Sequence, residues 1–273
     1  MGMKNKKIAS IAFKMLVGIV YLVPVFLAVI YSFHPNNDFL QGNLKLFPEE
    51  GTLENYIYVF ENIPTLNYFK NTLICVLIVV PCQMVLNTMA AYAFAYISFP
   101  CKNLVFTIFL TSMMIPGEVN LIANYMTVQD LGLVNTYLGM TITSLTGVGG
   151  IFMLRQNMLS LPTELWEAAK MDGCGKVRYL YKIVFPLSKS IISALAITSF
   201  IGVYGAYLWP LLVTTTNEMH TVQMGMAQLM STGGMRYGYV LAGAVVSMII
   251  PVAAFVVGQD YIVEGMTAGA VKS

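Results

Sequence analysis

Residues 160–187 read SLPTELWEAAKMDGCGKVRYLYKIVFPL. This is the long charged, helix-forming stretch in the second half of the chain, and apolar runs flank it on both sides. Ser160 or Thr163 stands where a helix cap is needed, with Pro162 tolerated in the first turn. Glu164 and Glu167 lie near the positive end of the resulting helix dipole, and Lys170 lies near its negative end. Leu165, Ala168 and Ala169 share a face by their spacing. Gly173 is free to take the left-handed conformation that closes a helix. A second short helix follows, with Val177, Leu180, Tyr181 and Val184 expected on one face and Lys176, Arg178 and Lys182 around the rest. Pro186 is expected to stop it as the next apolar run begins. The product is a bent pair of helices too charged to enter lipid and too apolar on one side to stay uncovered.

Composition says what surrounds that pair. Of 273 residues, 57% are hydrophobic and only 10% charged, with mean hydropathy +0.71. Soluble domains carry about 25% charge. The expectation is an all-α polytopic membrane protein held in the lipid bilayer, with six transmembrane helices. Spans are expected at 11–33, 71–97, 104–126, 137–159, 187–213 and 238–258, each near the ~20 residues that cross a bilayer. The first run exceeds the 7–15 residues of a signal-peptide core and lacks a convincing cleavage site, so it reads as an uncleaved helix. Residues 34–70 are polar and acidic, with a short surface helix expected from 52 to 60; residues 214–237 read as a polar outer loop. Met114-Ile115-Pro116-Gly117-Glu118 interrupts the third span, and Glu118 is expected there either as an ion- or substrate-path carboxylate or as a residue near the outer interface that caps the broken helix. Gly147, Gly149 and Gly150 allow close helix approach in the fourth. The chain divides by this reading into 1–70 (first helix and outer loop), 71–262 (five spans with the loop 160–187) and a tail, 263–273.

Basic residues orient the chain. With the amino terminus inside, the inner side holds Lys4, Lys6, Lys7, Lys14, Lys102, Arg155, Lys170, Lys176, Arg178, Lys182, Lys189 and Lys272. Lys45, Lys70 and Arg236 are left outside, so twelve of the fifteen basic residues face inward. Both termini and the loop 160–187 are therefore expected in the cytoplasm.

Catalytic and ligand-binding signals are weak by comparison. Gly175-Lys176 looks like the end of a phosphate-binding loop, but that pattern needs Gly at 170 and Ser or Thr at 177, where the chain has Lys170 and Val177. Cys75, Cys82, Cys101 and Cys174 show no metal-type pairing or disulfide framework and read as small buried apolar residues. His34 and His220 lie far apart in expected outer loops, and no nucleophile–base pattern appears in the spans. The expectation is no catalytic residue, no cofactor, no metal and no nucleic-acid partner. A secondary transporter would carry intramembrane ionisable groups for ion coupling, and here Glu118 is nearly alone.

Glu167-Ala168-Ala169-x-x-Asp172-Gly173, followed after twelve residues by Pro186-Leu187, resembles the EAA loop of ATP-binding-cassette importer permeases. In that family the loop is the cytoplasmic coupling helix that sits in a cleft on the ATPase subunit. The resemblance thus implies that Glu167, Ala168, Ala169, Asp172 and Gly173 contact or shape the contact with an ATPase. From about residue 71 onward the chain is similar to the maltose-type carbohydrate branch, and to its G-type subunit in particular. The segments that carry this are Asn87-x-x-Ala90-Ala91-Tyr92-Ala93-Phe94-Ala95, the break at 114–118, Gly132-Leu133-Val134-Asn135-Thr136, residues 150–156 and the tail 263–272. In the family that tail reaches toward the ATPase dimer, which makes Gly265, Gly269 and Lys272 a second candidate contact. The implied partners are a second homologous permease, two ATPase subunits and an extracytoplasmic solute-binding protein. The implied solute is a sugar or sugar phosphate, with glycerol 3-phosphate as the alternative within the same branch. Where many members carry Trp-Asn in the fifth span, this chain has Tyr204-Gly205, so the resemblance assigns no solute-contacting residue.

Overall fold

The computed structural model describes residues 2–42, 44–231 and 236–267, and these form helices without a strand among them. Three helices are long and apolar enough to cross a membrane: Ala9–Tyr31, Thr65–Tyr96 and Tyr237–Tyr261. Three bent pairs are apolar enough together: Lys102–Ser112 with Gly117–Asp130 (93°), Tyr137–Ser144 with Val148–Leu159 (45°) and Lys176–Leu187 with Lys189–Tyr204 (76°). Counting each pair as one span gives six. Large apolar side chains stay exposed on the first helix, with Phe13 at 67% and Tyr21 at 78%. Such all-round apolar surface belongs in lipid or against another apolar chain.

Several boundaries differ from those read from sequence. The second long helix begins at Thr65, since its polar first turn is held by protein rather than by lipid: the Thr65 hydroxyl donates to the Val59 carbonyl at 2.6 Å. The region expected as an outer loop contains a helix, Val222–Ser231. The last helix runs on past 258 to Thr267, because water-side residues continue a helix as readily as apolar ones when nothing breaks it. The short surface helix is present as Glu54–Glu61. Of the cysteines, Cys75 is buried, whereas Cys101 is exposed and sits at positive φ (55°) in a tight turn. Glu118 lies in the 3-10 turn Gly117–Asn120, exposed and capping no amide; Pro116, which brings no N–H, occupies the cap position instead.

The chain falls into two compact units. The first comprises residues 1–66 and 224–249. Its centre is Asn55, fully buried, whose Nδ2 donates to the carbonyls of Ser32 (2.7 Å) and His34 (2.8 Å). Asn36 Nδ2 donates to Asn55 Oδ1 at 3.0 Å, and the Gly238 N–H donates to Asn36 Oδ1 at 3.1 Å. Two asparagines thereby satisfy the chain end of the first helix and the amide at the start of the last. Gly238 is required for this, because a Cβ there would lie 2.7 Å from Asn55 Oδ1. Tyr58 and Tyr239 stack at 3.8 Å beside it.

The second unit comprises residues 67–223 and 250–273. At the outer end of its long helix, buried Asn71 donates to the carbonyls of Glu218 (2.6 Å) and His220 (2.8 Å) and accepts from the Tyr137 hydroxyl (2.7 Å). Asn67 adds a donor to Glu218 at 2.7 Å. The segment Gly132-Leu133-Val134-Asn135-Thr136 is a turn with two left-handed residues, Gly132 (φ 67°) and Asn135 (φ 62°). Asn135 is suited to that region, and its Oδ1 accepts from the Thr215 and Thr216 amides while Thr136 caps the following helix. Further along, Asn87 Oδ1 accepts from Thr146 Oγ1 (2.8 Å) and the Gly147 amide (3.2 Å), the donors freed where the fourth span breaks. A Cβ at Gly150 would sit 2.6 Å from Asn87 Nδ2, so the glycine is what lets that side chain in.

Two outcomes test these anchors. Asn55→Leu strands three polar groups at once and is expected to cost about 2–4 kcal/mol, read as a lowered melting midpoint in detergent with Asn55→Gln less severe. In the outer turn, burial depresses His220 below its ordinary 6.5, and Glu218 lies below 4.5, held by backbone and Thr216 hydrogen bonds. Both folded pKa values lie under the unfolded ones, so their stabilisation is present above the ordinary values and fades as pH falls through the folded ones. Protection factors for amide exchange at 217–223, taken against the intrinsic rate at each pH, are expected to fall on acidification from pH 7.5 to pH 5, and unchanged protection factors would contradict this.

Candidate functional site

The loop 160–187 is built as two helices around a left-handed turn. The first runs Thr163–Met171. Pro162 is its cap residue, at φ −56° and ψ 133°, and Thr163 is the first helical position, so neither Ser160 nor Thr163 caps it. Ser160 belongs to the previous helix, where its hydroxyl donates to the Asn157 carbonyl at 2.8 Å. Glu164 still meets the positive helix end and Lys170 the negative one. At the exit, Gly173 adopts φ +69°. The Cys174 N–H donates to the Ala169 carbonyl (2.8 Å) and the Gly173 N–H to the Lys170 carbonyl (3.1 Å). This is the paired closure of a Schellman motif, and any residue with a Cβ at 173 would strain it.

The second helix starts at Lys176 and passes through a π turn, Leu180–Val184, in which the Phe185 N–H donates to the Leu180 carbonyl. That turn changes which side chains face inward. Tyr179, Leu180 and Val184 are buried, whereas Val177 (69%) and Tyr181 (64%) are exposed. An ideal helix would put Val177 and Tyr181 with Val184; the wider turn sets Tyr179 and Val184, five apart, on the same side. Pro186 does not end the segment: the bend comes at buried Ser188, where the next helix departs at 76°.

The buried side of the loop rests on the inner ends of the spans. Ala169, Tyr179, Leu180 and Val184 join one core with Ala91, Tyr92, Leu154 and Met158. The Tyr179 ring meets Trp166 edge-on at 4.8 Å and Tyr96 edge-on at 5.5 Å. The Tyr92 hydroxyl donates to the Lys176 carbonyl (2.8 Å), and the Tyr96 hydroxyl donates to the Met158 carbonyl (2.8 Å). Lys102 Nζ donates to the carbonyls of Ala95 (3.2 Å) and Ile97 (3.0 Å), and Arg155 Nε donates to that of Phe94 (3.2 Å). Two cations thus close the negative end of the long helix, with Arg155 also 4.2 Å over the Phe106 ring.

The free side carries Glu164, Glu167, Ala168, Met171, Asp172 and Arg178, all exposed. Met171 is 89% exposed, an unusual state for a methionine on an ordered helix. Of the residues implied by the motif, Glu167, Ala168, Asp172 and Gly173 are therefore on the outward surface, and Ala169 is inside the core at 5% exposure. Tyr179 was not singled out from sequence; its only signal was an aromatic in a basic stretch. Gly265 falls in the last helix, while Gly269 and Lys272 lie outside the described residues. No cluster of metal-ligating side chains exists among the described residues.

Neighbouring alanines separate the two sides experimentally. Ala169→Leu is expected to overpack the core and cost about 1–3 kcal/mol, visible as a lower melting midpoint. Ala168→Leu should stay within about 0.5 kcal/mol of wild type, as exposed substitutions do. Equal melts for both would remove the distinction.

Comparison with known proteins follows the geometry. The family described as binding-protein-dependent transport system inner membrane component matches residues 83–267. The arabinooligosaccharides transport system permease protein AraQ of Halalkalibacterium halodurans is 30% identical over 278 residues, covering 99% of this chain and 100% of that one. The sn-glycerol-3-phosphate transport system permease protein UgpE of Rhizobium meliloti is 29% identical, covering 92% and 93%. Among solved structures, a chain of a bacterial ABC transporter involved in the import of the acidic polysaccharide alginate superposes with TM-score 0.79 at 21% identity, covering 94% of this chain and 97% of that one. At that identity the likeness concerns the fold. A second chain, from an alginate ABC transporter in complex with an alginate pentasaccharide-bound periplasmic protein, gives TM-score 0.54 at 15% identity.

Proposed function

The chain belongs to the family of binding-protein-dependent transport system inner membrane components, and from that premise we propose that it is a permease subunit of an ATP-driven importer for a sugar or sugar-phosphate-like solute. It spans the cytoplasmic membrane six times with both termini inside. It pairs with a second, homologous permease, takes two ATPase subunits on the cytoplasmic face, and receives solute from an extracytoplasmic binding protein. ATP hydrolysis takes place in the partners, since this chain has no phosphate-binding loop at Gly175-Lys176.

The observation that carries this reading is the two-sided loop. Its outer face offers Glu167, Ala168 and Met171 to a partner, and its inner face is seated by Tyr179 and Ala169 on the spans. Magnitudes say how force passes through it. Moving a two-state equilibrium from 1:99 to 99:1 requires about 5.5 kcal/mol of differential binding, whereas an exposed ion pair supplies ~0–1 kcal/mol. Glu167 alone therefore orients the partner, and close packing across Ala168 and Met171 transmits the displacement. Because Tyr179 touches both Trp166 in the loop and Tyr96 on the span, a shift of the loop becomes a shift of the helix. The tail residues Gly265, Gly269 and Lys272 form a second contact toward the same partner.

Co-purification of the tagged chain with candidate ATP-binding-cassette ATPase subunits tests the assignment. Wild type is expected to retain the ATPase, and Glu167→Ala, Ala168→Leu and Gly173→Pro to lose it or lose solute-stimulated ATP hydrolysis by about tenfold or more, a difference of some 1.4 kcal/mol. Undiminished coupling in all three would remove the loop from the mechanism. Uptake assays over oligosaccharides and glycerol 3-phosphate then assign the solute.

A further inference from the structure

Within the second unit a cavity of about 230 Å³ lies between the first half of helix Thr65–Tyr96, the turn Ile142–Ser144 and helix Lys189–Tyr204, with Trp209 at its edge. Its walls combine hydroxyls and an amide from Thr72, Gln83, Ser144, Ser199 and Thr221 with the Trp209 indole, and no charged side chain lines it. Part of this wall is fixed in place. Trp209 Nε1 donates to the Gly139 carbonyl (3.2 Å), Gln83 Nε2 to the Ser144 carbonyl (2.6 Å), and Thr72 Oγ1 accepts from the Val222 amide (3.0 Å). Two hydroxyls are not committed: Ser199 Oγ and Thr221 Oγ1 are buried with no hydrogen-bond partner. Orphaned buried hydroxyls are uncommon and destabilising, and both of these belong to residues on the wall of one cavity, where a change of rotamer would find a partner in an occupant.

We infer that this cavity is a binding subsite for one uncharged, hydroxyl-rich unit of the transported solute, a sugar ring or polyol, and that it discriminates against a phosphorylated one. An aromatic wall with a few neutral donors and acceptors matches the two kinds of surface on a sugar, its C–H faces and its hydroxyl rim. The volume is below the ~300–1,000 Å³ of drug-sized sites, which suits a single ring. A phosphate dianion would enter without a guanidinium or ammonium among the lining residues to pair with, and burying an unpaired charge is prohibitive. The inference rests on the importer reading above and narrows its solute class. Sequence alone gives no hint of it, because the lining residues come from five separate segments.

Gly202 makes the site testable. It lines the cavity, and a Cβ built there meets nothing within 4 Å, so Gly202→Leu grows into the open space without a clash at the branch point. The same change replaces a glycine inside a helix with a better helix former. The chain also holds only two tryptophans, Trp166 and Trp209, so Trp166→Phe leaves one reporter at the cavity edge.

The experiment uses the assembled importer, with uptake of labelled arabinotriose and glycerol 3-phosphate measured beside Trp209 emission in the Trp166→Phe background. Arabinotriose is expected to shift the emission saturably, and glycerol 3-phosphate is not. Gly202→Leu should cut arabinotriose uptake at least tenfold while ATPase capture and the melt stay as in wild type. Ser199→Ala with Thr221→Val, which leaves the packing nearly unchanged, should raise the KM for arabinotriose about three- to tenfold with little change in maximal rate. Wild-type KM in both variants, or an emission shift insensitive to Gly202→Leu, overturns the subsite and leaves the importer reading standing. Uptake of glycerol 3-phosphate in preference to arabinotriose overturns the charge discrimination. Loss of ATPase capture by the wild-type chain would instead strike the importer reading, while a saturable, Gly202-sensitive emission shift would still support the subsite.

Discussion

A broken helix in a membrane leaves amides and carbonyls that lipid cannot satisfy, and each must find a protein partner. This protein answers the demand with asparagines and cations. Asn87 takes the amide freed at Gly147 in the fourth span. Asn71 and Asn135 hold the outer turns of the second unit, and the pair Asn36–Asn55 does the same for the first. Asn suits the task because one short side chain offers two donors and an acceptor, so it can serve two strands of backbone at once. At the carboxyl end of the long helix Lys102 and Arg155 take its last carbonyls. Two of the basic residues counted for orientation thus also finish the helix they flank. Without Asn87 the break at 145–147 would leave the Gly147 amide unpartnered, whereas the break at 113–116 is closed by its own backbone turns.

The loop 160–187 depends on the same economy. Its polar backbone ends at Ala169 and Lys170 are closed locally by the Gly173 turn, so the loop asks nothing of lipid and little of water. What joins it to the spans is aromatic: Tyr179 between Trp166 and Tyr96, with Tyr92 donating to the loop backbone. Such a contact has shape and direction, whereas a set of exposed charges would yield before it moved anything. The division between Ala168 outside and Ala169 inside follows from it, one small residue leaving room for a partner and the next leaving room for the core.

Much of this was legible in the sequence, and the pattern of what was not is instructive. Apolar run lengths pointed to the long helices and bent pairs, because they arise from the bilayer and not from tertiary detail. The left-handed Gly173 and the break after Met113 could be read from single residues whose backbone preferences are strong. The buried face of the second loop helix could not: a period of 3.6 assigned Val177 and Tyr181 inward, and the π turn moved that place to Tyr179. The cap at Pro162 was misplaced by one position for a similar reason, since propensity names cap residues and not the exact register. The helix Val222–Ser231 was hidden by its polar neighbours. Of the candidate site, the outward residues Glu167 and Ala168 were found from the motif, while the aromatic seat beneath them was found only in three dimensions.

The π turn at Leu180–Val184 also bears on how this chain can change over generations. A π turn holds one residue more than the α-helical path across the same gap. Removing a single residue from that turn would give a regular helix with its flanks in place, whereas removing one elsewhere between Gly173 and Ser188 would turn everything that follows by about 100°. The fifth span would then present a different side to its neighbours, and buried Ile191 and Ile192 would be carried out of the core. The number of residues between Gly173 and Ser188 is therefore held by geometry everywhere but at the π turn. The loop has slack in length at that one place.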